Sequence, residues 1–206
     1  MTYLQFKEQW RKVGCFNIYQ LRAWSEDFDR TNLSRWVKRG YLAKLRQDWY
    51  AFSDILAEPD AAKYVAYKIY QPSYISLHSA LSHYGIIPEV VSRITSVTTN
   101  RTTMYSNALG EYSYQTLKTE MYFGYNQVRL FSGGFYQIAL PEKAIIDLLY
   151  LYPQYKTADA LLELRFDEWW MKEALNRERL ISFAAQSGIK CLQERVELLI
   201  KIYCND

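Results

Sequence analysis

The stretch Asp29-Arg30-Thr31-Asn32-Leu33-Ser34-Arg35-Trp36-Val37-Lys38-Arg39-Gly40, followed by Tyr41-Leu42-Ala43-Lys44-Leu45-Arg46-Gln47-Asp48-Trp49-Tyr50-Ala51-Phe52, decides how this chain folds. Leu33, Trp36 and Val37 recur at helical spacing and give the segment one apolar stripe. Asp29 suits the N-cap of such a helix, and Gly40 suits the left-handed residue that ends one. Behind it, residues 41–45 and 49–52 read as two short strands around a turn at Arg46-Gln47-Asp48.

With Leu33, Trp36 and Val37 turned inward, Arg30, Thr31, Ser34, Arg35, Lys38 and Arg39 face outward or flank that stripe. Cations and hydroxyls on one helix face are the groups that reach phosphates and base edges in a major groove. The early residues of a recognition helix meet bases, and the later ones meet the backbone. Arg30, Asn32 and Arg35 are therefore the candidates for base edges, with Thr31 and Ser34 beside them. Lys38, Arg39, Lys44 and Arg46 are the candidates for phosphates, and Arg46 at the turn could also enter a minor groove. A solvated helix face would carry the same charges, and the strand pair after Gly40 tips the reading toward DNA.

Working outward, residues 3–14 read as a helix with Phe6, Trp10 and Val13 on one side and Gly14 as its stop. Residues 17–24 read as a second helix, capped by Asn17, with Ile18, Leu21 and Trp24 buried. Three short helices followed by a two-stranded ribbon is the order of a winged helix-turn-helix, expected over residues 1–55. An acidic, small-residue stretch at 53–60 marks its end. An α+β body is expected over 56–152. It has helices at 61–70, 77–84 and from Pro141, and mixed or antiparallel strands at 93–99, 111–117, 128–131 and 135–139. Residues 153–206 read as a helical subdomain packed on that body, with Asn176 capping one helix and Leu192, Val196, Leu199 and Tyr203 on the stripe of another.

Composition sets the outer limits. Half of the 206 residues are hydrophobic and 23% are charged, as in an ordinary globular protein. Residues 1–55 hold ten Lys/Arg against six Asp/Glu, while the rest is nearly neutral, so the positive excess sits in the first quarter. The three cysteines show no pairing or metal-binding spacing and read as free thiols of a reducing cytosol. The N-terminus lacks an apolar signal core, and no apolar run is long enough to span a bilayer, so a cytoplasmic protein without a membrane partner is expected.

Catalytic patterns are sparse. His78 and His83 are five apart on a helix and point away from each other, which disfavours a shared metal. Glu142, Lys143 and Asp147 resemble fragments of a nuclease site without the acidic cluster that would bind its metal. Lys143 and Asp147 read more simply as a surface pair. No enzymatic activity, cofactor or metal is expected. The nineteen tyrosines could stack on unpaired bases, but their alternation in the strands favours packing.

Three stretches resemble the abortive-infection E antitoxins, the AbiEi-type transcriptional regulators. The first is Leu33-Ser34-Arg35-Trp36-Val37-Lys38-Arg39-Gly40-Tyr41-Leu42 through Trp49-Tyr50-Ala51-Phe52. The second is Tyr74-Ile75-Ser76-Leu77-His78-Ser79-Ala80-Leu81 through Tyr84-Gly85-Ile86-Ile87-Pro88-Glu89. The third is Ile138-Ala139-Leu140-Pro141-Glu142-Lys143-Ala144 through Asp147-Leu148-Leu149-Tyr150. The resemblance covers about residues 16–152. The family's turn carries an Arg-Gly pair where this chain has Gln47-Asp48-Trp49. The resemblance implies a repressor and antitoxin of a type IV toxin–antitoxin system. Such a protein accompanies a nucleotidyltransferase-like toxin, represses the shared promoter by binding inverted repeats in double-stranded DNA, and counteracts the toxin through its larger domain. The other readings are a protein-interaction module and a ligand-gated regulator with an aromatic pocket between the middle strands.

Overall fold

Phe6, Trp10, Phe16, Phe28, Trp36 and Phe52 bury their rings together and organise the first quarter of the chain in the computed structural model, which describes residues 1–204. They come from α1 (Tyr3–Trp10), β1 (Cys15–Asn17), α3 (Thr31–Lys38), β3 (Trp49–Phe52) and the loop before α3. Between them lie α2 (Ile18–Trp24) and β2 (Leu42–Arg46). Reciprocal caps fix the helix starts: Thr2 with Gln5 at α1, and Asn17 with Gln20 at α2. Each cap satisfies a backbone N–H that the helix itself leaves free. The strands form an antiparallel sheet in the order β1-β3-β2.

Two expectations are corrected here. β1 has only three residues between a helix stop and a helix cap, too few to show alternation, yet it pairs Cys15, Phe16 and Asn17 with Ala51, Tyr50 and Trp49. Trp24, expected on the buried stripe of α2, is 41% exposed and packs edge-on against Trp10 at the rim of the cluster.

The body is mixed α+β. Its six-stranded sheet runs in the order β6-β7-β5-β4-β9-β8, with parallel pairs at β5/β7 and β4/β9 and antiparallel pairs elsewhere. In chain order these strands are β4 (Ser73–Ile75), β5 (Arg93–Thr98), β6 (Thr103–Asn107), β7 (Gly110–Thr116), β8 (Tyr125–Arg129) and β9 (Phe135–Ala139). β4 and β6 are absent from the sequence expectation. β4 is buried on both faces and too short to alternate, and β6 lies at a sheet edge with a half-exposed pattern.

One face of the sheet is covered by α4 (Ala61–Ile69), to whose Ala66 carbonyl the Tyr114 hydroxyl of β7 donates. The other face is covered by α5 (Leu77–His83) and α6 (Pro141–Leu151), and behind α6 lie α8 (Arg177–Gln186) and α9 (Lys190–Tyr203). The short α7 (Ala158–Leu162) rests on α9. As expected, Asn176 caps α8, its side chain accepting from the Arg179 N–H. Among the described residues no helix is long and apolar enough to cross a membrane.

One buried cluster runs from Phe6 in α1 to Tyr203 in α9 without a break. The junction is specific. Tyr64 of α4 donates its hydroxyl to the Val13 carbonyl at 2.9 Å and accepts from the Cys15 N–H at 3.2 Å. Gly14 lies between those two residues at φ +72°, and a Cβ there would sit 2.6 Å from the Tyr64 oxygen. Only glycine tolerates both that backbone and that approach. The boundary expected at 55/56 falls inside a 3-10 turn at Ile55–Ala57, three residues before α4.

α6 differs from expectation. Lys143 and Asp147 are fully enclosed rather than exposed, and they form an ion pair with each other. The Asp147 carboxylate also accepts from the Tyr74 hydroxyl at 3.0 Å and the Ser76 hydroxyl at 2.7 Å, and Lys143 donates to the Tyr74 oxygen at 2.9 Å. Burial pushes the Asp147 carboxyl up, while Lys143 and the two hydroxyls pull it down. Removing one member of such a pair strands a charge away from water, which is far more harmful than removing both. Asp147→Ala should destabilise the fold by about 3–5 kcal/mol in urea unfolding, and the Lys143→Met/Asp147→Leu double variant should recover most of that loss. Equal destabilisation by the two would show that the pair is not the anchor of α6.

Candidate nucleic-acid interface

α3 is held by what it buries. The Trp36 ring lies 4.7 Å from Phe6, 5.7 Å from Tyr3 and 6.2 Å from Phe28, centroid to centroid, and Leu33 is enclosed beside it. Gly40, at φ +73°, ends the helix and turns the chain into β2. Thr31, Ser34, Arg35 and Lys38 then fall on one outward face at i, i+3, i+4 and i+7, all exposed, with Arg39 exposed just beyond. Among the described residues no carboxylate pairs with Arg35, Lys38, Arg39 or Lys44. The exposed side of α3 is thus a cationic, hydroxyl-bearing strip with unneutralised charge.

The start of the helix is ordered by Asp29. Its carboxylate accepts from the Thr31 N–H at 2.9 Å and the Thr31 hydroxyl at 2.6 Å. These bonds hold the Asp29 carboxyl below the usual carboxylate range, so it stays ionised near neutral pH. Asp29 therefore caps from one position before Arg30, the residue that directly precedes the helix.

Three of the expected contact residues are placed differently from the rest. Asn32 is 8% exposed, and its side-chain oxygen accepts from the Arg35 guanidinium at 2.7 Å. It cannot present its amide to a base edge. One residue on from Thr31, it has rotated toward the core, where it orients Arg35. Arg30 is exposed, but its guanidinium pairs with Asp48 at 3.1 Å. Asp48 sits at φ 61° in the two-residue turn between β2 and β3. That pair ties the turn to the start of α3.

Arg46 is the clearest correction. Expected at the tip of the turn, it is the last residue of β2, and a bulge between Lys44 and Arg46 shifts the register. Its guanidinium reaches into the body. There it donates to the Ile69 carbonyl at the end of α4 at 2.8 Å and lies 4.3 Å from the Tyr105 ring centroid. It joins the strand pair to α4 and β6, together with a 3.2 Å bond from the Asn107 amide to the Leu45 carbonyl. Lys44, two residues earlier, remains exposed on the outer side of β2.

The residues considered for catalysis lie elsewhere and are engaged. Glu142 is buried, accepting from the Asn176 N–H at 3.1 Å and from Arg179 at 3.4 Å. His78 packs edge-on against Tyr152, and His83 lies 3.1 Å from the Lys63 amine. Burial lowers the pKa of both histidines. Among the described residues no group of three His, Cys, Asp or Glu side chains could hold a metal ion. The pairing of Asp48 with Arg30 has no counterpart in the sequence expectation. The two are eighteen residues apart, and only the turn geometry brings them together.

Compared with known protein families and with curated proteins, the sequence matches none. A half-buried guanidinium bond and a ring contact make Arg46 a structural residue. Arg46→Ala should lower stability by about 1–3 kcal/mol in urea unfolding. Arg39→Ala should change stability by less than about 0.5 kcal/mol, because its charge meets only water.

Proposed function

We propose that residues 1–55 form a winged helix-turn-helix that binds double-stranded DNA, with α3 as the recognition helix. The observation that carries this reading is the outward face of α3: Thr31, Ser34, Arg35 and Lys38 are exposed on one side while Leu33 and Trp36 hold the other side in the core. The element order α1-β1-α2-α3-β2-β3 and the sheet order β1-β3-β2 support it, because they leave α3 on the surface with a strand pair directly behind it. Arg35 is the base-reading residue, aimed by Asn32. A guanidinium presents paired donors that match the two acceptors of guanine in the major groove. Thr31 and Ser34 flank it. Lys38, Arg39 and Lys44 neutralise phosphates, and Arg30 contributes when Asp48 releases it. Arg46 takes no part.

The module's role is that of a repressor acting on inverted repeats in the promoter of its own gene. The likeness of three stretches to the abortive-infection E antitoxins extends the role to the antitoxin of a nucleotidyltransferase-like toxin.

Electrophoretic mobility shift with the DNA upstream of the protein's own gene tests the DNA reading. Wild-type protein should retard that duplex at low salt and release it as salt rises. Arg35→Ala should weaken binding by about 1–3 kcal/mol and relax sequence preference. Lys38→Ala should weaken binding to all sequences and lower the salt slope by about one. Arg46→Ala should leave affinity within about twofold once stability is matched, since its guanidinium is already engaged. No retardation at low salt, or a loss with Arg46→Ala equal to that with Arg35→Ala, contradicts the reading. Growth rescue on co-expression with a neighbouring nucleotidyltransferase-like gene tests the antitoxin role separately.

A further inference from the structure

A second site lies in the body, far in sequence from α3. β4 and β9 are adjacent in the middle of the sheet but pair at one position only, Ile75 with Ile138. Beside the start of β4, which pairs with β5 but not with β9, is a cleft of about 390 Å3 lined by Tyr67, Gln71, Ser73, Tyr122, Tyr125 and Gln137, together with Pro72. That volume falls in the range of small-molecule sites, roughly 300–1,000 Å3.

The polar groups of this cleft are free, unlike those of the tyrosines buried deepest in the body. The hydroxyls of Tyr64, Tyr74, Tyr112, Tyr114 and Tyr136 all donate to acceptors within the protein. Among the described residues, the hydroxyls of Tyr67, Tyr122 and Tyr125 and the side-chain amides of Gln71 and Gln137 have no such partner. Tyr67 is nonetheless only 9% exposed. The Ser73 hydroxyl is fully enclosed and also unpartnered. The tyrosine hydroxyls and glutamine amides of the cleft reach water, whereas a fully buried polar atom normally finds a partner, so the unmatched Ser73 hydroxyl in the wall of this cleft points to something that is bound there.

The rings are also held in place. Tyr125 stacks on Tyr74 at 4.9 Å, and Tyr122 lies 5.1 Å from Tyr74 and 5.4 Å from Tyr125. The Tyr74 hydroxyl is fixed in turn by Asp147 and Lys143. Rigid aromatic surface with a few convergent amides and hydroxyls is suited to a flat ring bearing donors and acceptors on its edge. No lysine, arginine, aspartate or glutamate lines the cleft. A phosphate would have no cation to meet there, and a charged ligand would lose its hydration without compensation.

We infer that this cleft binds an uncharged, planar, hydrogen-bonding heterocycle, a nucleoside or free nucleobase, with the tyrosine rings supplying apolar surface and Gln71, Gln137, Ser73 and the Tyr122 hydroxyl supplying the edge contacts. The site is separate from α3, and its occupancy does not depend on DNA binding. Isothermal titration calorimetry of the full chain tests it, with the four common ribonucleosides, their free bases and their 5′-monophosphates as probes. At least one nucleoside or base should bind with one-to-one stoichiometry, and its monophosphate should bind no more tightly. Gln137→Leu and the fold-neutral Tyr122→Phe should each weaken that binding by about fivefold or more, the effect of one lost hydrogen bond, with the thermal midpoint of Tyr122→Phe unchanged. Three results would overturn the inference: no saturable binding of any nucleoside or base at millimolar concentration, tenfold tighter binding of a monophosphate, or unchanged affinity in both variants.

Discussion

The Trp36 indole is packed against Phe6, Tyr3 and Phe28, and α3 cannot rotate without drawing that ring out of the aromatic cluster. Loss of a buried indole of this kind is worth about 3–5 kcal/mol, a large share of the stability of an ordinary domain. The orientation of α3 is therefore fixed by apolar packing, and its charges have no say in it. Lys38 and Arg39 stand in water because the opposite side of the helix has nowhere else to go. Their exposure is a consequence of the core, and the free charge is available for a polyanion.

The same logic joins the module to the body. Gly14 lets the chain turn against the Tyr64 hydroxyl, and Arg46 reaches across to the end of α4. Both contacts add a side-chain partner to backbone groups: the Cys15 N–H and the Val13 carbonyl, which also bond each other, and a carbonyl of the last turn of α4. Deeper in, the pair of Lys143 and Asp147 fixes Tyr74, and Tyr74 supports Tyr122 and Tyr125. A polar network in the core thus sets the position of aromatic rings at the surface cleft. Fully satisfied networks of this type rigidify what they touch.

Much of this was legible in the sequence, and the exceptions share causes. Caps and stops marked α2, α3, α4, α5 and α8, β-branched residues marked β5, alternation marked β7, and the turn at Ser132-Gly133-Gly134 marked β9. β1 and β4 escaped because three residues cannot display a period of two. Arg46 was misplaced by a single residue of register. A strand read as 41–45 puts residue 46 in the turn, whereas a strand at Leu42–Arg46 with a bulge sends its side chain into the body. Lys143 and Asp147 have the spacing of a surface pair, but Ala144, Ile145, Ile146, Leu148 and Leu149 make α6 apolar on every side. A helix of that composition is buried all round, and that signal outweighs the spacing. Asn32 illustrates a further limit: helical periodicity assigns faces in steps of about 100°, too coarse to tell a flanking residue from an exposed one. An aromatic pocket between the middle strands stood only as an alternative, and the residues of the cleft beside β4 could not be read, since its walls come from α4, β4, β8, β9 and the loops beside them and meet only in three dimensions.

The central claim is that a duplex is met by one face of α3. Amide chemical-shift changes in isotope-labelled protein, titrated with a duplex from its own promoter, test this residue by residue. The account places the largest changes at Thr31, Ser34, Arg35, Lys38, Arg39 and Lys44, with Trp36 and Leu33 following weakly and the surroundings of Arg46 and Tyr105 unmoved. Changes centred on the body, or absent from residues 31–39 while the complex forms, would contradict it.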